Sequence, residues 1–143
     1  MDRVLFSSSR HDWETPPELF AELDAEFGFT LDPCCTEATA KCAKHYTADD
    51  DGLSKSWRGE RVFCNPPYGR AIGSWVEKCA TEDALCVMLI PARTDTRYFH
   101  EHIYRKPGVE IRFLRGRVRF LQNGERQAGA PFPSMVVVFR NDR

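Results

Sequence analysis

The chain has 143 residues, 42% of them hydrophobic and 29% charged, with a formal net charge of −1. That length predicts one domain around one core, and the near-neutral balance excludes a protein drawn as a whole to nucleic acid or an anionic membrane. No charged-then-apolar leader opens the chain and no apolar run approaches the ~20 residues that cross a bilayer, while the six cysteines, with no Cys-x-x-Cys pair, read as small hydrophobes in a reducing cytoplasm and not as a metal site.

Residues 1–12, with the run Ser7-Ser8-Ser9, read as a loose arm. "TPPELFAELDAEFGF" predicts a helix. Thr15 is placed to cap it, Pro16 and Pro17 suit its first turn, Glu18 completes a capping box, and Leu19, Phe20, Leu23 and Phe27 form its apolar stripe up to Gly28. "FTLD" predicts a strand ending at Asp32, and "TEATAKCAKHY" a helix capped by Thr36. "TADDDGLSKSW" is an acidic loop. "RVFC" is a strand, and Ile72 to Thr81 a helix through Ile72, Trp75, Val76 and Cys79. "ALCVMLIP" is an uninterrupted apolar run, suited to a buried central strand. "DTRYFHEHIYR" reads as a helix and "VEIRFL" as a strand, which "GRVRFL" continues after a turn at Gly116. "PSMVVVFR" is the last strand. Strands alternating with helices predict an α/β fold with a mostly parallel sheet flanked by helices.

In such sheets ligands lie outside the carboxyl ends of the strands. Three polar stretches fall at such ends: Asp32-Pro33-Cys34-Cys35, Asn65-Pro66-Pro67-Tyr68, and Pro91 to Asp95. In the second, the prolines make the backbone rigid before anything binds. The side-chain carbonyl of Asn65 and the main-chain carbonyl of Pro66 are two acceptors for one NH2 group. Such acceptors favour a tetrahedral nitrogen and stabilise the positive charge that develops as it attacks an electrophile. Tyr68 offers a ring on which a flipped-out planar base stacks. A Pro-Pro turn with Asn65 as a cap and Tyr68 in the core is the plainer reading of the same four residues.

The other stretches also read two ways. Asp32 either binds a ligand or caps the next segment. Asp49, Asp50 and Asp51 either accept hydrogen bonds from a ligand's hydroxyls or form a solvated loop. Arg93 either shapes a substrate pocket or pairs with a carboxylate. Charge is unevenly spread: residues 11–60 carry 12 acidic and 4 basic side chains, whereas residues 105–126 carry 7 basic and 2 acidic ones. The basic strip interleaves Arg112, Arg115, Arg117 and Arg119 with Phe113 and Phe120. That suits a phosphate backbone, or a soluble sheet edge.

Asn-Pro-Pro-Tyr after a strand resembles the motif of amino-group methyltransferases that use S-adenosylmethionine. "WETPPELFAELDAEFGFTLDPCC", "DDDGLSKSW", "CNPPYGR", "PARTDTRYFH", "IRFLRGRVRF" and "PFPSMVVVF", in this order from Trp13 to Phe139, together resemble the small phage-type DNA N6-adenine methyltransferases. The resemblance implies a single compact Rossmann-like domain over residues 1–143, S-adenosylmethionine as methyl donor, adenine N6 in DNA as acceptor, and a bacterial host cytoplasm. It implies catalysis by Asn65, Pro66, Pro67 and Tyr68. It implies a cofactor site from Trp13, Thr15, Pro16, Asp32, Pro33, Cys34, Asp50, Asp51 and Asn65, and DNA contacts from Arg93, Arg115, Arg117 and Arg119. Where most such enzymes place a glycine-rich turn after the acid, this sequence has Cys34-Cys35-Thr36. No insert for a separate recognition domain is visible, which predicts short or relaxed specificity, or a homodimer. Another planar amine (cytosine N4, RNA adenine, a protein glutamine) and a non-catalytic phage protein that binds nucleic acid through the arginine strip stand as alternatives.

Overall fold

The computed structural model describes residues 13–142; the predicted arm over residues 1–12 lies outside them. Helix α1 spans Pro17–Phe27 and ends at Gly28, whose φ of 64° is the left-handed turn that glycine adopts without cost. Strand β1 is Arg61–Cys64, helix α2 Ile72–Thr81, and strand β2 Leu85–Pro91. Strand β3 is Val109–Phe113, a small hairpin pairs β4 (Leu121–Gln122) with β5 (Glu125–Arg126), and β6 is Ser134–Arg140.

The main sheet runs β1-β2-β6-β3. β2 is buried along its whole length, as its unbroken apolar sequence requires, and six of the seven residues of β6 are buried beside it. Burying each Val, Leu, Ile or Met side chain stabilises by about 1.5–3 kcal/mol, so these two strands carry much of the core. β1 pairs with β2 in parallel, but β6 runs antiparallel to both β2 and β3. The expected mostly parallel sheet is therefore mixed, with two of its three ladders antiparallel. A parallel return needs a crossover, usually a helix. Residues 114–133 contain none, and the chain returns antiparallel after the β4–β5 hairpin.

Successive strand residues face opposite sides. Phe63 meets Phe20 of α1 edge-on, with ring centroids 5.2 Å apart. Its neighbour Cys64 lies beside Cys79 of α2. The two helices thus cover opposite faces around one core.

Several expected elements are corrected. Residues 36–46 form turns and a short extended piece, not a helix. Thr36 and Thr39 bond each other's backbone N–H, and residues 44–46 pair with Asp32. The "FTLD" strand is reduced to single bridges, Leu31 to Val62 on one side and Asp32 to His45 on the other, both parallel. The expected helix after Asp95 forms but is short: Arg97 and Tyr98 are α-helical and Phe99–Ile103 has π-type geometry, with Phe99 and Ile103 buried. Residues 117–120 do not extend β3; the N–H groups of Ala130 and Gln127 bond the carbonyls of Val118 and Phe120 instead. Thr15 does not cap α1, whose N-cap is Pro16 without a side-chain hydrogen bond.

Candidate functional site

Because Leu31, β1 and β2 run in the same direction, their carboxyl ends lie along one edge of the sheet. The stretches after Asp32 and after Cys64 meet there, around a cavity of 410 Å³. Of the residues singled out in the sequence, the cavity is lined by Trp13, Thr15, Asp32, Pro33, Cys34, Asp51, Asn65 and Pro67. Pro16, Asp50, Pro66 and Tyr68 adjoin these residues in the chain but do not line it. The third stretch diverges: Arg93 is exposed on a shallow groove with Asp95 and Pro131 to Pro133.

Asp32 is 3% exposed. Its two carboxylate oxygens accept the backbone N–H groups of Cys34 (3.2 Å) and Lys41 (3.0 Å), so it fastens the loop that follows it. Burial raises its pKa to about 6, against the lowering effect of those hydrogen bonds. A carboxylate at the cavity wall whose charge is this poorly solvated has reason to take a cationic or hydroxyl-bearing partner. Desolvation also raises the Cys34 and Cys42 thiols, Cys42 to about 12, so both stay neutral at pH 7, and Cys34 is an apolar part of the cavity wall.

The acidic loop supplies another part of the wall. Asp50 accepts the backbone N–H of Thr47 at 2.8 Å and its hydroxyl at 3.2 Å, holding the loop in shape. Asp51 faces the cavity from a left-handed backbone, φ 56°, at the start of the 3₁₀ turn Gly52–Ser54. The buried Trp57 indole donates to the Gly52 carbonyl at 3.0 Å and stacks on Trp75 of α2 at 6.2 Å. Gly52, Trp75, Lys41, Thr36 and Thr39 also line the cavity. Sequence alone does not mark these five as site residues. Trp75 carries only a helix-stripe signal, and Lys41 and the threonines lie in a segment that reads as helical.

Asn65 is held by the strap before α1. Its Nδ2 donates to the Trp13 carbonyl (2.6 Å) and to Thr15 Oγ1 (3.0 Å). Its Oδ1 is buried and has no partner among the described residues. A buried polar atom without a partner is costly in a folded protein. Here it sits on a residue that lines the cavity.

Tyr68 is 8% exposed, donates its hydroxyl to the Leu89 carbonyl at 2.9 Å, and meets Phe120 and Phe132 edge-on. Trp13 meets the same two phenylalanines edge-on. Four aromatic rings thus cluster beside Asn65, two of them from the irregular stretch after β3.

Arg115, Arg117 and Arg119 line a separate shallow groove with Pro16, Leu19 and Arg126. All three are exposed. Arg117 and Arg119 donate to the carbonyls of Ala130 (3.2 Å) and Gln127 (2.9 Å), bonds that leave both charges in place. Arg112 is different: it is paired bidentately with Glu26 at 2.7 Å and also with Glu110. Phe113, 62% exposed, ends β3 beside the strip. Among the described residues no group of three His, Cys, Asp or Glu side chains is placed to hold a metal ion, and no helix is long and apolar enough to cross a membrane.

A mixed α/β domain with a cavity at its strand ends, walled by acids, an amide and tryptophans, defines the class of α/β proteins that bind a small molecule at the sheet edge. Residues 4–143 match the family described as DNA N-6-adenine-methyltransferase (Dam), and the chain belongs to that family. It is 31% identical over 94 residues to the DNA N-6-adenine-methyltransferase of Escherichia phage T1, covering 62% of this chain and 39% of that protein. It is 26% identical over 140 residues to the protein of the same name from Haemophilus phage HP1, covering 92% of this chain and 80% of that protein.

Proposed function

We propose that this chain transfers a methyl group from S-adenosylmethionine to the N6 amine of adenine in DNA, as a phage-encoded enzyme of compact Rossmann-like architecture. Family membership supports the reaction. The observation that carries the roles of the residues is the unpartnered, buried Oδ1 of Asn65 at the cavity wall.

The cavity suits the methyl donor. Its volume falls within the ~300–1,000 Å³ of small-molecule sites. In this reading Asp51 accepts the ribose hydroxyls and the buried Asp32 takes the cationic end of the methionine moiety, while Pro33, Cys34 and Trp75 supply apolar wall. Bound there, S-adenosylmethionine supplies a methyl carbon on a positively charged sulfur, which leaves as the neutral thioether when the carbon bonds to nitrogen.

The chain's own residues act on the amine. Asn65 Oδ1 and the Pro66 carbonyl accept the two N6 hydrogens and turn the lone pair toward the methyl donor. They stabilise the charge that develops on N6, which then loses a proton to water. No strong base is required, because that proton becomes acidic only after attack. Pro67 keeps the segment rigid. The adenine leaves the duplex and rests in the aromatic region formed by Tyr68, Trp13, Phe120 and Phe132. Stacking on Tyr68 requires the stretch carrying Phe120 and Phe132 to move, since the ring is buried as described. Arg115, Arg117 and Arg119 hold the phosphate backbone, and Arg93 shapes the target pocket.

The direct test is to incubate purified protein with isotopically labelled S-adenosylmethionine and adenine-containing DNA, then digest to nucleosides and identify the product by mass spectrometry. Labelled N6-methyl-2′-deoxyadenosine is the expected product. Label in 4-methylcytosine alone, or in no base of any DNA tried, overturns the proposal.

A further inference from the structure

We infer that Thr15 is a positioning residue for Asn65: its hydroxyl, together with the acceptor-only Trp13 carbonyl, engages both Nδ2 hydrogens and so holds the carboxamide with its carbonyl, not its NH2, toward the reacting amine. This role goes beyond a contact to the cofactor, and its catalytic consequence rests on the methyltransferase reading above.

A carboxamide presents an acceptor on one side and two donors on the other, and the two ends are nearly isosteric. Only the acceptor end serves an NH2 substrate. An asparagine free to flip would offer donors to donors for part of the time. In this chain both Nδ2 hydrogens are used, one by the Trp13 carbonyl at 2.6 Å and one by Thr15 Oγ1 at 3.0 Å. A flip would set Oδ1 against the Trp13 carbonyl oxygen, acceptor against acceptor. The fixed direction leaves Oδ1 as the buried, unpartnered atom.

Thr15 is itself 2% exposed, so water is poorly placed to replace its hydroxyl. The hydroxyl caps no helix, although its position in the sequence suits a cap. The strap that carries it is anchored independently of Asn65. Glu14 and Leu121 exchange two backbone hydrogen bonds at 2.9 and 3.0 Å, and the Asn123 N–H donates to Glu14 Oε2 at 3.2 Å. Thr15 is therefore presented to Asn65 by a support that does not depend on the bond it makes.

The test compares Thr15→Val, which keeps the shape and removes the acceptor, with Thr15→Ser, which keeps the acceptor. In the methylation assay Thr15→Val should lower kcat about 10- to 100-fold, the scale on which slight misplacement of a reacting group acts. KM for DNA and Kd for S-adenosylmethionine should stay within about threefold, and Thr15→Ser should restore most of kcat. In an Asn65→Ala background Thr15→Val should have no further effect. Loss of cofactor affinity with kcat intact at saturation, or an undiminished Thr15→Val effect in the Asn65→Ala background, overturns the inference.

A second readout needs no activity. In 15N NMR of the free protein, the Asn65 side-chain NH2 should exchange slowly with solvent in wild type and in Thr15→Ser, and at least about tenfold faster in Thr15→Val, whose NH2 lacks one of its two buried acceptors. Equal exchange in all three overturns the positioning role. Wild-type protein with a protected Asn65 NH2 and no methylation of any DNA would overturn the enzymatic reading while leaving the positioning intact. Should Thr15→Val not fold, Thr15→Ala carries the same comparisons.

Discussion

The Gly52 backbone packs directly on the Pro33 carbonyl: a Cβ built on Gly52 would lie 2.2 Å from that oxygen and 3.3 Å from the Trp75 ring. The acidic loop and the loop after Asp32 thus touch through the one residue with no side chain. The stretch after Asp32 lacks a glycine of its own, and Gly52 provides the close backbone approach from the neighbouring loop. Gly52→Ala must push the two loops apart. Overpacking of this kind costs about 1–3 kcal/mol. The expected result is a lower thermal midpoint together with weaker S-adenosylmethionine binding by calorimetry. A variant with unchanged midpoint and affinity would show that the packing gives way freely.

Asn65→Ala removes the buried acceptor Oδ1 proposed to take a hydrogen of the amine and leaves the cavity's acids in place. As with deletion of a single preorganised group that stabilises developing charge, kcat should fall by roughly 10²–10³. Cofactor affinity should change little. Stopped-time methylation assays beside calorimetry measure the two effects separately, and a matching loss in both would move Asn65 from the chemistry to the cofactor.

Asp32 predicts two pH effects. Burial raises its pKa to about 6 in the folded protein, from the ordinary 3.8 of an aspartate. The folded state therefore holds this proton more tightly than the unfolded chain does. The group favours folding most below pH 3.8, its contribution falls as pH rises from 3.8 to 6, and above pH 6 it is a constant penalty of roughly 3 kcal/mol relative to acid. Cofactor binding runs the other way. If Asp32 holds the cationic end of S-adenosylmethionine as proposed, affinity should be level above pH 6 and fall by up to about tenfold per pH unit below it, as that carboxylate is neutralised. Titration calorimetry on either side of that pKa checks this, and Asp32→Asn should abolish the pH step.

The arginines divide by their partners. Arg117 and Arg119 donate to carbonyls and keep their charge exposed, whereas Arg112 is neutralised by Glu26 and Glu110. Arg117→Ala with Arg119→Ala should weaken DNA binding and reduce the slope of log K against log salt by about 0.9 for each phosphate no longer neutralised. Arg112→Ala should leave that slope unchanged. Fluorescence anisotropy across a salt series separates the two sets.

Tyr68→Phe deletes only the hydroxyl that donates to the Leu89 carbonyl of the central strand. Removing that buried hydrogen bond should cost about 1 kcal/mol in denaturant unfolding. If the ring is what the base requires, methylation by the folded variant should remain within a fewfold of wild type.

Local pattern alone determined those elements whose signals lie within one turn or one strand. The stripe of Leu19, Phe20, Leu23 and Phe27 closed by Gly28 is α1, Ile72 to Thr81 is α2, and the apolar runs after Ala84 and Pro133 are the buried strands β2 and β6. The Asn-Pro-Pro-Tyr stretch was also legible, because two prolines and an amide after a strand form an unusual combination at any position. What only the tertiary structure decided depends on partners distant in sequence. Residues 36–46 have helical composition, yet Asp32 takes the Lys41 N–H and pairs its backbone with residues 44–46, which draws the segment to the sheet edge. Thr15 has the look of a helix cap, but Asn65, 50 residues away, claims its hydroxyl. The direction of β6 follows from the absence of a crossover helix before it, and the meeting of Gly52 with Pro33 from the fold of two separate loops. Propensity and periodicity describe a residue's neighbours along the chain; a buried polar group is satisfied by whatever the folded chain brings beside it, and that decided which side chains form the site.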